Sequence, residues 1–162
     1  MTEPIVPQAG HLAPMVVLPD GDGAIHRLDE QRGDWVVLYF YPKDDTPGCT
    51  TEACGFRDAA AAFEDRGAVV WGISPQGVAS KVAFREKYDL GFPLLIDADH
   101  AVAEAYGCWV EKQQYGRTSM GVARRTFLIG KDGRIARTWS KVSPDGHAAE
   151  VVAAIDGARA GS

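Results

Sequence analysis

Trp35-Val-Val-Leu-Tyr-Phe-Tyr-Pro-Lys-Asp-Asp-Thr-Pro-Gly-Cys-Thr-Thr-Glu-Ala-Cys54 begins as one kind of backbone and ends as another. Residues 35–41 are a near-continuous run of β-branched and aromatic side chains, the pattern of a strand buried on both faces at the centre of a sheet. From Pro47 the composition turns to Ala, Glu, Phe and Arg, and Phe56, Ala59, Ala60 and Phe63 recur at helical spacing. That periodicity predicts one long helix over 47–66, stopped by Gly67. In open α/β sheets, the edge where a buried strand hands over to a helix is where ligands bind.

Towards the C-terminus, 68–74 reads as a second buried strand and 78–88 as a second helix ending near Gly91. Residues 92–96 suit a short strand, and 99–106 a short helix capped by Asp97 or Asp99. Residues 121–129 and 134–140 alternate as strands around a hairpin turn at 130–133, and 146–158 reads as a terminal helix. Towards the N-terminus, 15–18 and 24–28 flank Pro19-Asp-Gly-Asp-Gly23 and predict a β-hairpin, preceded by an irregular segment over 1–13. This order specifies an α/β thioredoxin-like fold: a central mixed β-sheet flanked by helices, with an N-terminal β-hairpin extension. A chain of 162 residues fits a single domain over 1–162.

Apolar residues at 46% and charged residues at 24% are ordinary for a soluble folded protein. Seventeen Lys and Arg against 22 Asp and Glu leave a net charge of -5, which disfavours attraction to nucleic-acid phosphates or anionic lipid. No early apolar run suits a signal peptide and no stretch approaches a membrane span, so a cytoplasmic location without nucleic-acid or membrane partners is expected. Three cysteines are too few, and odd in number, for a disulfide scaffold; each needs its own explanation. Asp44 and Asp45 read as solvated loop residues with no converging third ligand, and two nearby cysteines alone make a poor zinc site. No metal and no cofactor is expected.

Thr46 followed by Pro47 suits a helix N-cap and first helical position: the hydroxyl can accept an orphan amide, and proline has none to lose. Cys49 then falls in the first turn, among unpaired N–H groups and near the positive end of the helix dipole. Both favour thiolate over thiol, and thiolate is the nucleophile. Cys54 lies five residues on, which in a continuous helix means a rise of about 7.5 Å and a Cα separation of roughly 8 to 9 Å. A disulfide needs less than about 7 Å, so a bond between the two requires the first turns to unwind. Dithiol exchange on a rigid site would more naturally use Cys-X-X-Cys; the wider gap suits oxidation first and bridging second.

The pattern Pro42-x-x-x-Thr46-x-x-Cys49 resembles the active-site signature of the peroxiredoxins. The longer Tyr39-Phe-Tyr-Pro-Lys-Asp-Asp-Thr-Pro-Gly-Cys-Thr50, with Cys54 behind it, is similar to the peroxiredoxin Q subfamily, also called bacterioferritin comigratory protein. Gly121-Val-Ala-Arg-Arg-Thr-Phe-Leu-Ile129 resembles that family's arginine-bearing strand, whose arginine stands two residues before Ser or Thr and three before Phe. That spacing selects Arg124 over Arg125; strand alternation turns the two to opposite faces, so only one can reach Cys49.

The resemblance implies a thiol-dependent peroxidase that reduces hydrogen peroxide and organic hydroperoxides to water or alcohols. Cys49 would be the peroxidatic thiol and become a sulfenic acid, Cys54 would resolve it as an intrachain disulfide, and a thioredoxin-like or glutaredoxin-like reductant would restore both. Arg124 would hold the thiolate and bind the peroxide oxygens, Thr46 and the backbone N–H groups of Gly48 and Cys49 would polarise the O–O bond, and Pro42 would shield the site. Glu52 could orient the arginine or simply favour the first helical turns. Cys108, in Gly107-Cys-Trp109, reads as a small buried hydrophobe, with a resolving role as the alternative. His11, His26, His100 and His147 share no catalytic spacing with any cysteine. The resemblance implies a monomer, and the rival activity is that of a protein disulfide oxidoreductase.

Overall fold

The apolar run at 35–41 becomes strand β3 (Trp35–Phe40), all of whose residues are buried. The computed structural model describes residues 5–160. Along β3, Trp35, Val37 and Tyr39 enter one apolar cluster and Val36, Leu38 and Phe40 another. Successive side chains on a strand face opposite ways, so two-sided burial puts β3 in the middle of a covered sheet.

β3 pairs parallel with β4 (Ala68–Ser74), which pairs parallel with β5 (Leu94–Ile96). On its other side β3 is antiparallel to β8 (Arg125–Ile129), and β8 to β9 (Ile135–Trp139), giving the mixed order β5-β4-β3-β8-β9. One face is covered by α1 (Pro47–Asp58), α2 (Ala60–Asp65), α3 (Val78–Tyr88) and α5 (His147–Ala160), which contribute Phe56, Phe63, Phe84, Val151 and Ile155. The other face takes Val102 and Ala103 from α4 (Ala101–Ala105). Both aspartates before α4 serve its start: Asp97 accepts from the amides of Val102 and Ala103, and Asp99 from that of Ala101. β1 (Val17–Pro19) and β2 (Ile25–Arg27) form the N-terminal hairpin. Residues 5–13 are irregular yet tied to the edge beside β9, through Gly10 N to Ile135 O and the Thr138 hydroxyl to Pro7 O.

Two expectations are corrected. The single helix over 47–66 is interrupted at Ala59, whose φ of -92° and ψ of 7° leave the helical region. No breaker residue stands there, so tertiary context overrides local propensity. The strand over 121–129 is two strands. Residues 117–122 form β7 (Arg117–Val122), which pairs antiparallel with β6 (Trp109–Gln114) in a separate hairpin, and the chain re-enters the main sheet only at Arg125. Tyr115 and Gly116 link β6 to β7 with φ of 53° and 74°. Two consecutive positive φ values are what a type I′ turn demands, and its right-handed twist matches the flanking strands.

Candidate active site

α1 begins at Pro47 with Thr46 at the N-cap in extended conformation, and Cys49 lies in its first turn, 1% exposed. Arg124 occupies the two-residue gap between β7 and β8, beside the α1 N-terminus. Its Nη2 donates to Cys49 Sγ at 3.2 Å, and its Nη1 donates to Glu52 Oε1 at 2.7 Å. Glu52, one helical turn beyond Cys49, thus grips the guanidinium that touches the sulfur. Arg125 faces away, donating to the carbonyls of Gly107 and Ser140.

Gly48 lies close against the arginine, and a side chain there would press the guanidinium by a few tenths of an ångström. A Cβ built there would lie 3.1 Å from Arg124 Nη2 and 3.6 Å from the ring of Pro144.

The electrostatics follow from burial. Desolvation opposes the Arg124 charge, but Glu52 and Cys49 outweigh it and raise its pKa above the ordinary value. The Glu52 side chain is fully buried, and its Oε2 has no hydrogen-bond partner among the described residues. Burial therefore pushes its carboxyl up from 4.5 to about 7, with Arg124 pulling the other way. A group whose pKa is raised on folding contributes stability that is complete below the unfolded value and is lost as pH rises through the folded one. Between about pH 4.5 and pH 8 the parent protein should therefore lose thermal stability relative to Glu52→Gln, on the order of a few kcal/mol. Melting curves of both at the two pH values would check this, and an unchanging difference would refute it.

Three expectations change here. The Thr46 hydroxyl caps no amide: it donates to Lys43 O at 3.0 Å, so its proton is spent while its oxygen lone pairs stay available. Asp44 is not solvated; it is 8% exposed, while Asp45 holds Lys87 and Tyr88 from a positive φ of 57°. Glu52, left open between two roles by its position, pairs with the arginine. Pro42 is half-buried in the β3–α1 loop.

Cys54 lies within α1, half-buried and unbonded. It faces an open groove shared with Pro144, Ala148 and Val152. Cys108 is fully buried, and burial pushes its thiol up to about 12, against the opposing pull of Arg125. A thiol that resists ionisation is chemically quiet. Among the described residues no group of three or more metal-ligating side chains converges. What the α1 start does bring together is a guanidinium and a sulfur, held one turn before a buried carboxylate.

The sequence profile of the AhpC/TSA family matches residues 9–138. Peroxiredoxin Bcp of Bacillus subtilis is 44% identical over 145 residues, covering 90% of this chain and 92% of that protein. The solved structure of peroxiredoxin Q from Xanthomonas campestris superposes with a TM-score of 0.85 at 36% identity, over 96% of this chain and 98% of that one. A trapped intermediate and ligand complex of the bacterioferritin comigratory protein from the same bacterium, studied for alkyl peroxide reduction, gives a TM-score of 0.85 at 35% identity, over 95% and 98% of the two chains.

Proposed function

This chain belongs to the AhpC/TSA family and is a peroxiredoxin, a thiol peroxidase, and on that premise we propose that its cycle runs on Cys49 and Cys54. The carrying observation is the Arg124 hydrogen bond to Cys49 Sγ at 3.2 Å. A guanidinium donating to sulfur favours the thiolate, and charge-assisted bonds of this kind are the stronger ones.

The thiolate attacks the terminal oxygen of a hydroperoxide. The S–O bond forms, the O–O bond breaks, and the departing oxygen takes up a proton to leave as water or alcohol. Negative charge passes from sulfur to the leaving oxygen, and Arg124 with the N–H groups of Gly48 and Cys49 meets it there. Thr46, its own proton given to Lys43 O, accepts the O–H of the incoming peroxide and orients it. Pro42 limits water at the loop side. Cys54 then attacks the sulfenic sulfur, the S–S bond forms, and hydroxide leaves as water with the thiol proton. A dithiol reductant of thioredoxin or glutaredoxin type returns two electrons and two protons.

Organic hydroperoxides join hydrogen peroxide as substrates because the X. campestris relative was studied for alkyl peroxide reduction. The enzyme is a single-domain, cytoplasmic monomer in this reading: an intrachain partner removes the chemical need for a second subunit. Among the described residues no helix is long and apolar enough to cross a membrane.

Cys54→Ser is the decisive variant. With hydrogen peroxide and a sulfenic-acid trap such as dimedone, it should carry the adduct on Cys49 by mass spectrometry and stop after one turnover. Adduct on Cys108, or none, would refute the assignment. The oxidised parent should show a Cys49–Cys54 bond; a bond to Cys108 or between chains would refute the resolution step alone.

A further inference from the structure

The mechanism leaves unused a buried cation. Lys81, in the second half-turn of α3, is 1% exposed, and its Nζ donates to Ser74 Oγ at 2.5 Å, to the Tyr41 hydroxyl at 3.2 Å, and to both Asp44 oxygens at 3.2 and 3.3 Å. Asp44 also accepts from the Tyr41 hydroxyl at 2.5 Å and from the Ser80 hydroxyl at 2.6 Å, while its own amide donates to Gln76 Oε1 at 2.5 Å. One carboxylate in the loop before Cys49 is thereby held from below by Lys81, from the strand side by Tyr41 and from the α3 side by Ser80.

Buried ion pairs are poor stabilisers, because desolvation offsets most of their attraction; their better-attested effect is to fix one geometry over others. What this pair fixes is the path from β3 into α1. Residues 41–46 carry Pro42, the Lys43 carbonyl that takes the Thr46 proton, and Thr46 itself. Asp45, next in line, is bound to Lys87 and Tyr88 of the same helix. The segment is thus pinned to α3 while the helix behind it must unwind.

We propose that Lys81 is a positioning residue for the peroxide reaction: by clamping Asp44 it holds the 41–46 loop on α3, so that Thr46 and the first turn of α1 meet the peroxide in one geometry and return to it after each cycle. The inference rests on the peroxidase reading above. Burial lowers the Lys81 pKa, while Asp44 and the more distant Cys49 pull it back.

The test is single-turnover oxidation of the full chain by hydrogen peroxide, followed by intrinsic fluorescence at a temperature where circular dichroism reports a folded protein. Lys81→Met should slow the bimolecular step by about tenfold or more, as misplacement of reacting groups does. Ile135→Ala, a core truncation within β9, should lower the melting temperature and leave that step at the parental rate. Thr46→Val should be slow by itself, and adding Lys81→Met to it should slow it by less than about twofold further, because the two act through one contact. A parental rate in Lys81→Met, or full additivity with Thr46→Val, would overturn the proposal. If Lys81→Met does not fold, Ser80→Ala removes one Asp44 donor without stranding a charge; a several-fold slowing supports the clamp and a parental rate overturns it. Failure of the parent protein itself to react with peroxide would count against the functional reading and not against the clamp.

Discussion

Cys49→Ser should abolish turnover, lowering the bimolecular constant for hydrogen peroxide by at least about 10³-fold in stopped flow. A serine hydroxyl at the same place is only slightly smaller than the thiol but remains protonated at neutral pH, so no anion is available to attack oxygen. The fold should survive, because the side chain is small and Arg124 keeps Glu52 as a partner at 2.7 Å. Parental reactivity in this variant would move the nucleophile to Cys54 or Cys108. The burial that keeps the Cys108 thiol protonated argues against the latter.

The second large effect belongs to Arg124→Met. It removes the donor to Cys49 Sγ and the cation that meets the leaving oxygen, and loss of one such donor costs on the order of 10²- to 10³-fold. It also strands Glu52, whose side chain is fully buried. Without the guanidinium, the only downward pull that opposes burial is gone, so the Glu52 carboxyl should stay protonated to higher pH than in the parent. Arg125→Met, by contrast, removes bonds to backbone carbonyls outside the site and should leave the peroxide step near its parental rate. Measuring both variants across pH separates the two arginines, and an equal loss in both would refute the choice of Arg124.

What could be read from the chain tracks how strongly a local pattern binds structure. β3, β4 and α3 lie where the sequence puts them because two-sided burial forces unbroken apolar runs, and helix periodicity needs only its own residues. The β6–β7 hairpin was not legible: β7 is largely exposed, so no apolar alternation marks it, and Tyr115-Gly116 is a less familiar way to make two positive φ values than Asn-Gly. For the candidate site, helix-start placement pointed to Cys49 and the family resemblance to Thr46 and Arg124, while Asp44 was misread because its partners Lys81, Ser80 and Gln76 are more than thirty positions away. Polar loop residues look solvated until a distant element covers them. Thr46 was misread for the opposite reason: a nearer acceptor, the Lys43 carbonyl, wins its proton.

The burial of α1 has a thermodynamic reading as well. Glu52, Ala53 and Phe56 lie between Cys49 and Cys54 or just past them, and all three are sealed in the folded helix, with Phe56 stacked 4.7 Å from Tyr39. In the proposed cycle, that packing exists in full only while both thiols are reduced. Every kcal/mol the intact helix contributes would be withheld from the proposed Cys49–Cys54 bond, and by linkage the couple would shift to a more oxidising potential, by about 30 mV for each 1.4 kcal/mol. The proposed disulfide would therefore be spring-loaded towards reduction: the protein's own folding energy would help the incoming dithiol and bias the resting enzyme to the reduced form, ready for the next peroxide.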